Sequence, residues 1–323
     1  MSHRLCGEYE AASAAALSAL PAVRAGSAWG VANLLFNLMA IEQFLGNFSA
    51  CDALLPELEA AARGGGHHGA LWLHERVQHA IELARTGNIR TYLEHSQVAL
   101  RGPHLRYMAR SYVAAASLNL GAVDDALEHT AAVVEEQPTD HWFKGLPEGN
   151  HFAATALAGR AGAEGLIAAV LPWLPLAGRR NVEGAYYALE TLVTGLAAMG
   201  DRERRAGLYP LTLTSVQNGR VYTTFTVGPS SPQLAAALAA DAAGLVDQSR
   251  EHFEIALRQA HEVPIRILQP TVLYWYGRSL STAVDTADRE RGRGMVEAAL
   301  TDFRALEMVL HANLAEQFLR EGR

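Results

Sequence analysis

Glycine-centred turns recur along this chain at intervals typical of stacked helical repeats. Each turn follows an apolar helical segment and opens another, because glycine accepts the left-handed conformation that ends a helix and a following Asn or Asp can cap the next one. The intervals run from 34 to 44 residues, apart from one of 79 that fits two units with a degenerate turn at residues 158–165. Periods of this length predict stacked helix pairs. The turns lie at Gly7, Gly46, Gly87, Gly121, Gly200 and Gly244.

The clearest unit is the stretch YVAAASLNLGAVDDALEHTAAVVEEQP, which resembles the tetratricopeptide (TPR) repeat. Ala114 and Ala126 occupy the small positions of its two helices, Gly121 lies in the turn, and Pro138 stands where that family ends one unit. Two antiparallel helices approach closely only where side chains are small, and proline cannot continue a helix. We therefore predict an all-α fold, a TPR-like right-handed superhelix (α-solenoid) of about six or seven helix pairs.

The repeats divide the chain into three parts. Residues 1–140 hold TPR-like repeats, residues 141–199 hold degenerate ones, and residues 200–323 hold the C-terminal repeats. An extended inter-repeat loop at 219–232 contains RVYTTFTVGPSSP, whose β-branched and aromatic residues have no partner strand elsewhere in the sequence. Ser231 followed by Pro232 predicts the start of the next helix.

The first turn predicts that the chain is cut from a longer protein. Only six residues precede Gly7, too few for the first helix of its unit. Repeat arrays protect their ends with polar caps, so a second helix without its partner is unexpected. The alternative is a chain that begins with an unpaired capping helix.

Composition excludes several classes of protein. A net charge of −7 argues against a surface that coats nucleic acid, and the two unclustered cysteines, Cys6 and Cys51, form neither a disulfide framework nor a zinc site. The N-terminus lacks the apolar segment of a signal peptide, and charges and prolines interrupt the most apolar window, residues 152–177. The single lysine suggests a GC-rich bacterial genome. We expect a cytoplasmic protein that binds neither nucleic acid nor membrane.

No catalytic, metal or cofactor motif emerges from the sequence. His74 and His79 are five residues apart, which places them off a common helical face, whereas a zinc-protease helix needs a spacing of four. We expect solvated histidines in and beside a glycine-rich loop there. The GGG at residues 64–66 lacks the Lys-Ser/Thr of a phosphate loop. We predict that the chain is not an enzyme and holds no metal or cofactor.

Aromatic and arginine side chains are the best candidates for a binding surface. Tyr274, Trp275 and Tyr276 are consecutive, so some of them leave the core face of one helix, and inner-surface aromatics on a solenoid can anchor a peptide or small ligand. The alternative is a packing role with a satisfied polar tip. The predicted ligand or partner residues are Arg220, Tyr222 and Phe225 of the loop, together with Tyr186, Tyr274, Trp275 and Arg278.

The part from Gly200 onward resembles a more specific group of proteins. A Gly-Asp turn, a Leu-Tyr pair, a loop ending near Gly-Pro, a His-Phe-Glu helix and a Tyr-Trp-Tyr helix follow in that order. This order is similar to the C-terminal helical-repeat region of LuxR-type STAND-ATPase transcription regulators and of ATPase-fused class III adenylate/guanylate cyclases. The chain has no Walker A motif, cyclase metal-binding aspartate pair or helix-turn-helix reader.

The resemblance implies a regulatory or interaction module, linked to an ATPase or cyclase domain in a longer parent chain. We expect such a module to be non-catalytic and to bind a protein, a peptide or an effector on its concave face. Two alternatives stay open: a small-molecule sensor with an enclosed pocket, and an enzyme on a helical scaffold. An open groove, an enclosed pocket and a cavity with several buried ionisable groups distinguish the three.

Overall fold

The computed structural model describes residues 6–64, 68–101, 106–136, 143–223, 226–227, 229–263 and 265–322. Over these residues the protein is all-α, with seventeen α-helices and one short 3-10 helix, Leu171–Trp173. The helices are α1 Tyr9–Arg24, α2 Ala28–Phe44, α3 Phe48–Gly64, α4 His68–Thr86, α5 Ile89–Leu100, α6 Arg106–Asn119, α7 Val123–Glu136, α8 Leu146–Leu157, α9 Ala163–Val170, α10 Glu183–Met199, α11 Arg202–Gly207, α12 Tyr209–Val216, α13 Pro232–Ala242, α14 Val246–Glu262, α15 Gln269–Leu280, α16 Thr286–Ala305 and α17 Val309–Glu321.

The predicted turns form as expected. All six turn glycines have positive φ, from 71° at Gly7 and Gly87 to 84° at Gly121; Gly7 lies just before α1, and each of the other five lies between two helices. Ser231 caps α13, since its Oγ accepts a hydrogen bond from the Leu234 amide at 3.1 Å, and Pro232 is the first helical residue. Ala114 and Ala126 are fully buried. Local capping chemistry therefore fixes where these helices begin and end.

Consecutive helices pack side by side, and the helices of the first half also contact the second half. An added Cβ at Gly46 would lie 2.7 Å from a Val263 methyl group, and one at Gly121 would lie 2.9 Å from Val309. Two backbone hydrogen bonds join the halves, from the Val221 amide to the Phe44 carbonyl and from the Arg266 amide to the Ala84 carbonyl, each 2.8 Å. Helix α17 packs on α6. The turns at Gly46 and Gly121 thus lie against residues of the second half.

The extended segment at residues 219–231 has most of its described residues, 220, 222–223, 226–227 and 229–231, buried between these halves. Its described part carries one isolated antiparallel bridge, between Thr223 and Ser230, so the segment turns back on itself without joining a sheet. The Val227 amide donates to Asn150 Oδ1 of α8 at 3.1 Å, and Asn119 of α6 reaches the Val227 carbonyl at 3.4 Å. Arg220 and Tyr222 are buried. We call residues 219–231 the inter-repeat segment.

None of the helices in the described part of the chain is long and apolar enough to cross a membrane. The cytoplasmic location and the three-part division of the chain stay predictions.

His311 of α17 makes the stability of this packing depend on pH. The ring is buried 5.2 Å from that of Phe303, and burial lowers the pKa of His311 to about 4. The unfolded chain takes up this proton near pH 6.5 but the folded chain only near pH 4, so acid favours unfolding across that window. We expect His311 to contribute a loss of about 2 kcal/mol in unfolding free energy between pH 7 and pH 5.

Urea unfolding of the wild type and His311→Leu at both pH values checks this expectation. The variant should lose less stability on acidification than the wild type, by about that amount. An equal loss in both proteins would show that His311 takes up its proton at the same pH in the folded and unfolded states.

Candidate functional site

A cavity of about 370 Å³ opens between α4, α5 and α6 in the first half of the protein. Residues at i, i+3, i+4 and i+7 share one face of a helix, and both α4 and α5 turn such a face towards the cavity. The lining residues on α4 are Trp72, Glu75, Arg76 and His79; those on α5 are Tyr92, His95, Ser96, Val98 and Ala99; α6 supplies Tyr112. We call this cavity the Arg76 pocket.

The buried residues Tyr92 and Tyr112 form what we call the floor of the pocket, and Arg76 packs on the ring of Tyr112. Its guanidinium carbon lies 3.6 Å from the centre of the Tyr112 ring, a cation–π contact, and Tyr92 meets Tyr112 edge to face at 6.1 Å. Both tyrosines are buried, and burial raises the pKa of each phenol while the charge of Arg76 opposes the rise. The phenols therefore stay protonated around a fixed positive charge.

Two histidines form one wall of the pocket. The rings of His79 and His95 stack at 3.4 Å with an angle of 14° between their planes. Burial lowers the pKa of His79, and the neighbouring His95 lowers it further, whereas Glu82 and Glu75 oppose both effects. Glu82 Oε2 lies 3.6 Å from His79 Nδ1. A stacked pair of this kind is favoured when at least one ring is neutral.

The inter-repeat segment approaches the pocket from the protein interior. Tyr222 and Tyr92 line a shared void of about 20 Å³, and Tyr92 also lines the Arg76 pocket. Burial raises the pKa of Tyr222, with Tyr92 adding to the rise and the charge of Arg76 opposing it. Tyr222 is thus within electrostatic range of both groups, and its hydroxyl has no hydrogen-bond partner in the described residues.

Arg220 forms a buried ion pair with Glu190 of α10. Neither side chain is exposed, and the guanidinium carbon also lies 4.4 Å from the Tyr187 ring. Glu190 accepts further hydrogen bonds from Ser215 at 2.8 Å and from Ser230 at 3.5 Å. Burial raises the pKa of Glu190, and the positive charge of Arg220 and the two serines oppose that rise. This group ties both ends of the inter-repeat segment to α10 and α12.

The other predicted binding residues lie apart from this pocket. Arg278 Nη1 donates to the Tyr274 hydroxyl at 3.0 Å, and its guanidinium carbon lies 4.9 Å from the Trp275 ring; Tyr274 and Trp275 are buried. These three residues contact one another as packing partners. Tyr186 borders an open groove of about 610 Å³ near Cys6–Ala11 and Leu176–Asn181. Phe225 lies outside the described residues.

Sequence reasoning missed the residues of the Arg76 pocket. His74 and His79 were expected to be solvated histidines near the glycine-rich loop, but they lie within α4, with His74 buried and His79 stacked on His95. The signal that could have found them is the shared spacing of polar and aromatic residues on α4 and α5. That pattern is also typical of an ordinary core face.

Within the described residues, no three His, Cys, Asp or Glu side chains come close enough together to hold a metal ion. No family model, curated protein or solved structure matches the chain.

Proposed function

We propose that the chain is a non-catalytic, ligand-sensing module of a bacterial signalling or transcription regulator, built as a TPR-like right-handed superhelix. The observation that carries this proposal is the Arg76 pocket, which joins a charged, aromatic cavity to the inter-repeat segment through Tyr92. The likeness of residues 200–323 to the repeat regions of ATPase- and cyclase-linked regulators supports the regulatory part.

A small-molecule effector fits the pocket better than a peptide does. The volume of about 370 Å³ lies in the range of sites that enclose small ligands. The interior that a concave-face peptide would need already holds the buried Arg220 and Tyr222 of the inter-repeat segment. Convergent polar groups in a cavity with aromatic walls are the usual features of such a site.

The inter-repeat segment offers a route from the pocket to the second half. Val221 bonds to the end of α2, Val227 bonds to α6 and α8, and Arg220 pairs with α10. An effector that favours one position of Tyr92 would also favour one position of this segment and of the helices that it joins. A ligand shifts such an equilibrium only by its difference in affinity for the two arrangements.

A second candidate function is the binding of a protein or peptide partner. The open groove of about 610 Å³ beside Tyr186 favours it, because Tyr186 can act as an aromatic anchor there.

A thermal-shift screen of metabolites on three proteins tests the sensing proposal. Ala99→Trp fills the pocket from the last turn of α5, and Ala298→Trp adds the same ring to an exposed position of α16 as a control. A ligand at one hundred times its Kd should raise the Tm of the wild type and of Ala298→Trp by about 5 °C. Ala99→Trp should not respond.

The proposal fails if the compounds that raise the Tm of the wild type raise the Tm of Ala99→Trp by as much. It also fails if no compound of a broad library shifts the wild type. If substitution of Tyr186 instead abolishes the Tm shift, the ligand binds in the groove and the second candidate function is favoured.

A further inference from the structure

We infer that the ligand of the Arg76 pocket carries an oxyanion, a carboxylate or phosphate group, that binds to Arg76 and to the hydroxyl of Tyr92. This inference rests on the proposed function and adds the chemical class of the effector.

The floor of the pocket offers hydrogen-bond donors. A guanidinium has five N–H donors and no acceptor, and it binds carboxylate and phosphate oxygens in pairs. The Tyr112 ring, 3.6 Å from the guanidinium carbon, fixes the plane of Arg76. The phenol of Tyr92 is protonated at neutral pH, and burial raises its pKa further, so its hydroxyl can donate to the same ligand group. An anion with several oxygens can accept hydrogen bonds from both Arg76 and Tyr92.

The carboxylate of Glu75 does not cancel this charge. Glu75 lines the rim and is exposed, so water and salt screen it, whereas Arg76 is partly buried against Tyr112. Interactions inside the cavity act in a lower dielectric than those at the rim. An anion at the floor therefore interacts more strongly with Arg76 than with Glu75.

Tyr222 lies on the interior side of Tyr92 and can help to hold the Tyr92 hydroxyl in place. Its buried hydroxyl has no hydrogen-bond partner in the described residues, and the void of about 20 Å³ that it shares with Tyr92 has room for one water molecule. A water there would accept from Tyr222 and hold the Tyr92 hydroxyl towards the pocket. Tyr222 is a positioning residue in this arrangement, and it connects the bound anion to the inter-repeat segment.

The walls indicate the rest of the ligand. Trp72 and the stacked rings of His79 and His95 also line the pocket and add aromatic faces to it. A small anion with a planar or apolar body uses both the charge at the floor and these faces.

Isothermal titration calorimetry with four probes that share a phenyl ring tests the inference: the near-isosteric benzoate, benzamide and benzamidine, and the larger phenyl phosphate. We expect at least one anion to bind the wild type ten times more tightly than neutral benzamide, and cationic benzamidine to bind most weakly. The tighter of the two anions identifies the group as a carboxylate or a phosphate.

Four variants locate the binding. Arg76→Gln should weaken binding of the preferred anion about tenfold or more, and Tyr92→Phe about threefold or more. The controls are Arg101→Gln, at an exposed arginine just after α5, and Tyr187→Phe, which removes a buried hydroxyl that donates to Glu183. Both controls should bind as the wild type does. If Arg76→Gln does not fold, the effect of Tyr92→Phe on anion binding still tests the inference.

Equal binding of benzoate, phenyl phosphate and benzamide would overturn the inference. So would no anion binding at 10 mM, or no effect of Tyr92→Phe and Arg76→Gln. A neutral library compound whose binding is blocked by Ala99→Trp would leave the sensing proposal standing while the oxyanion is rejected, so the two failures are distinguishable.

Discussion

Arg220→Met is expected to lower the unfolding free energy by about 3–5 kcal/mol, the cost of leaving one partner of a buried ion pair uncompensated. Methionine approximates the volume of arginine, so the loss reflects charge more than packing. Glu190, with no exposed side-chain surface, would keep only the hydrogen bonds of Ser215 and Ser230. Chemical denaturation with urea at pH 7 measures the loss.

The double variant Arg220→Met/Glu190→Met should recover most of this loss, because a buried ion pair can be replaced by apolar groups at little cost. The single variant should also regain stability between pH 8 and pH 5. Without Arg220, burial raises the pKa of Glu190 further, and the folded state takes up a proton before the unfolded state does.

The exposed pair of Arg90 and Glu307 provides a control, since Arg90→Met should have little effect. If Arg220→Met proves as mild as Arg90→Met, the pair does not hold the inter-repeat segment in the interior.

Gly292→Ala is expected to cost about 2–3 kcal/mol, because α15 and α16 cross with their backbones in contact. An added Cβ at Gly292 would lie 2.6 Å from the Gly277 carbonyl oxygen and 3.0 Å from the Ser281 amide nitrogen. One at Gly277 would lie 2.5 Å from the Gly292 carbonyl oxygen. These neighbours are backbone atoms that move only if the helices separate.

Gly294→Ala is the matched control on the same helix. A Cβ at Gly294 meets nothing within 4 Å, so alanine should stabilise the protein by about 0.5–1 kcal/mol through its helix propensity. Urea unfolding of both variants gives the comparison. If both Gly292→Ala and Gly294→Ala raised the unfolding free energy, the close crossing of α15 and α16 would be contradicted.

Local features of this fold were predictable because local chemistry determines them. The turn at Gly121 needs a positive φ that glycine adopts without strain, and the start of α13 needs only the hydroxyl of Ser231 and the ring of Pro232. Ala114 and Ala126 could be assigned to the small packing positions of the two helices for the same reason. Each of these assignments depends on residues a few positions apart.

The position of the inter-repeat segment was not predictable in this way. Its β-branched residues indicated extended chain, and the bridge between Thr223 and Ser230 agrees with that. Its burial depends on contacts with Phe44, Asn119 and Asn150, which are distant in sequence. Only the stacking of the two halves brings these residues together.

The Arg76 pocket was not predicted from the sequence for a related reason. Arg76, Tyr92 and Tyr112 lie on three helices, and each alone looks like an ordinary interface residue. Tyr274 and Trp275, predicted as binding residues because they are consecutive aromatics, both contact Arg278, and their binding role stays a prediction. Spacing within one helix could not distinguish a cavity wall from a packed face.

Hydrogen–deuterium exchange with the strongest hit of the metabolite screen tests the central claim most directly. If an effector binds in the Arg76 pocket and acts through the inter-repeat segment, amide exchange should slow in α4 and α5 and at Val221 and Val227, whose amides bond to Phe44 and Asn150. Slower exchange confined to the groove beside Tyr186, or protection of α4 and α5 with no change at Val221 and Val227, would contradict it.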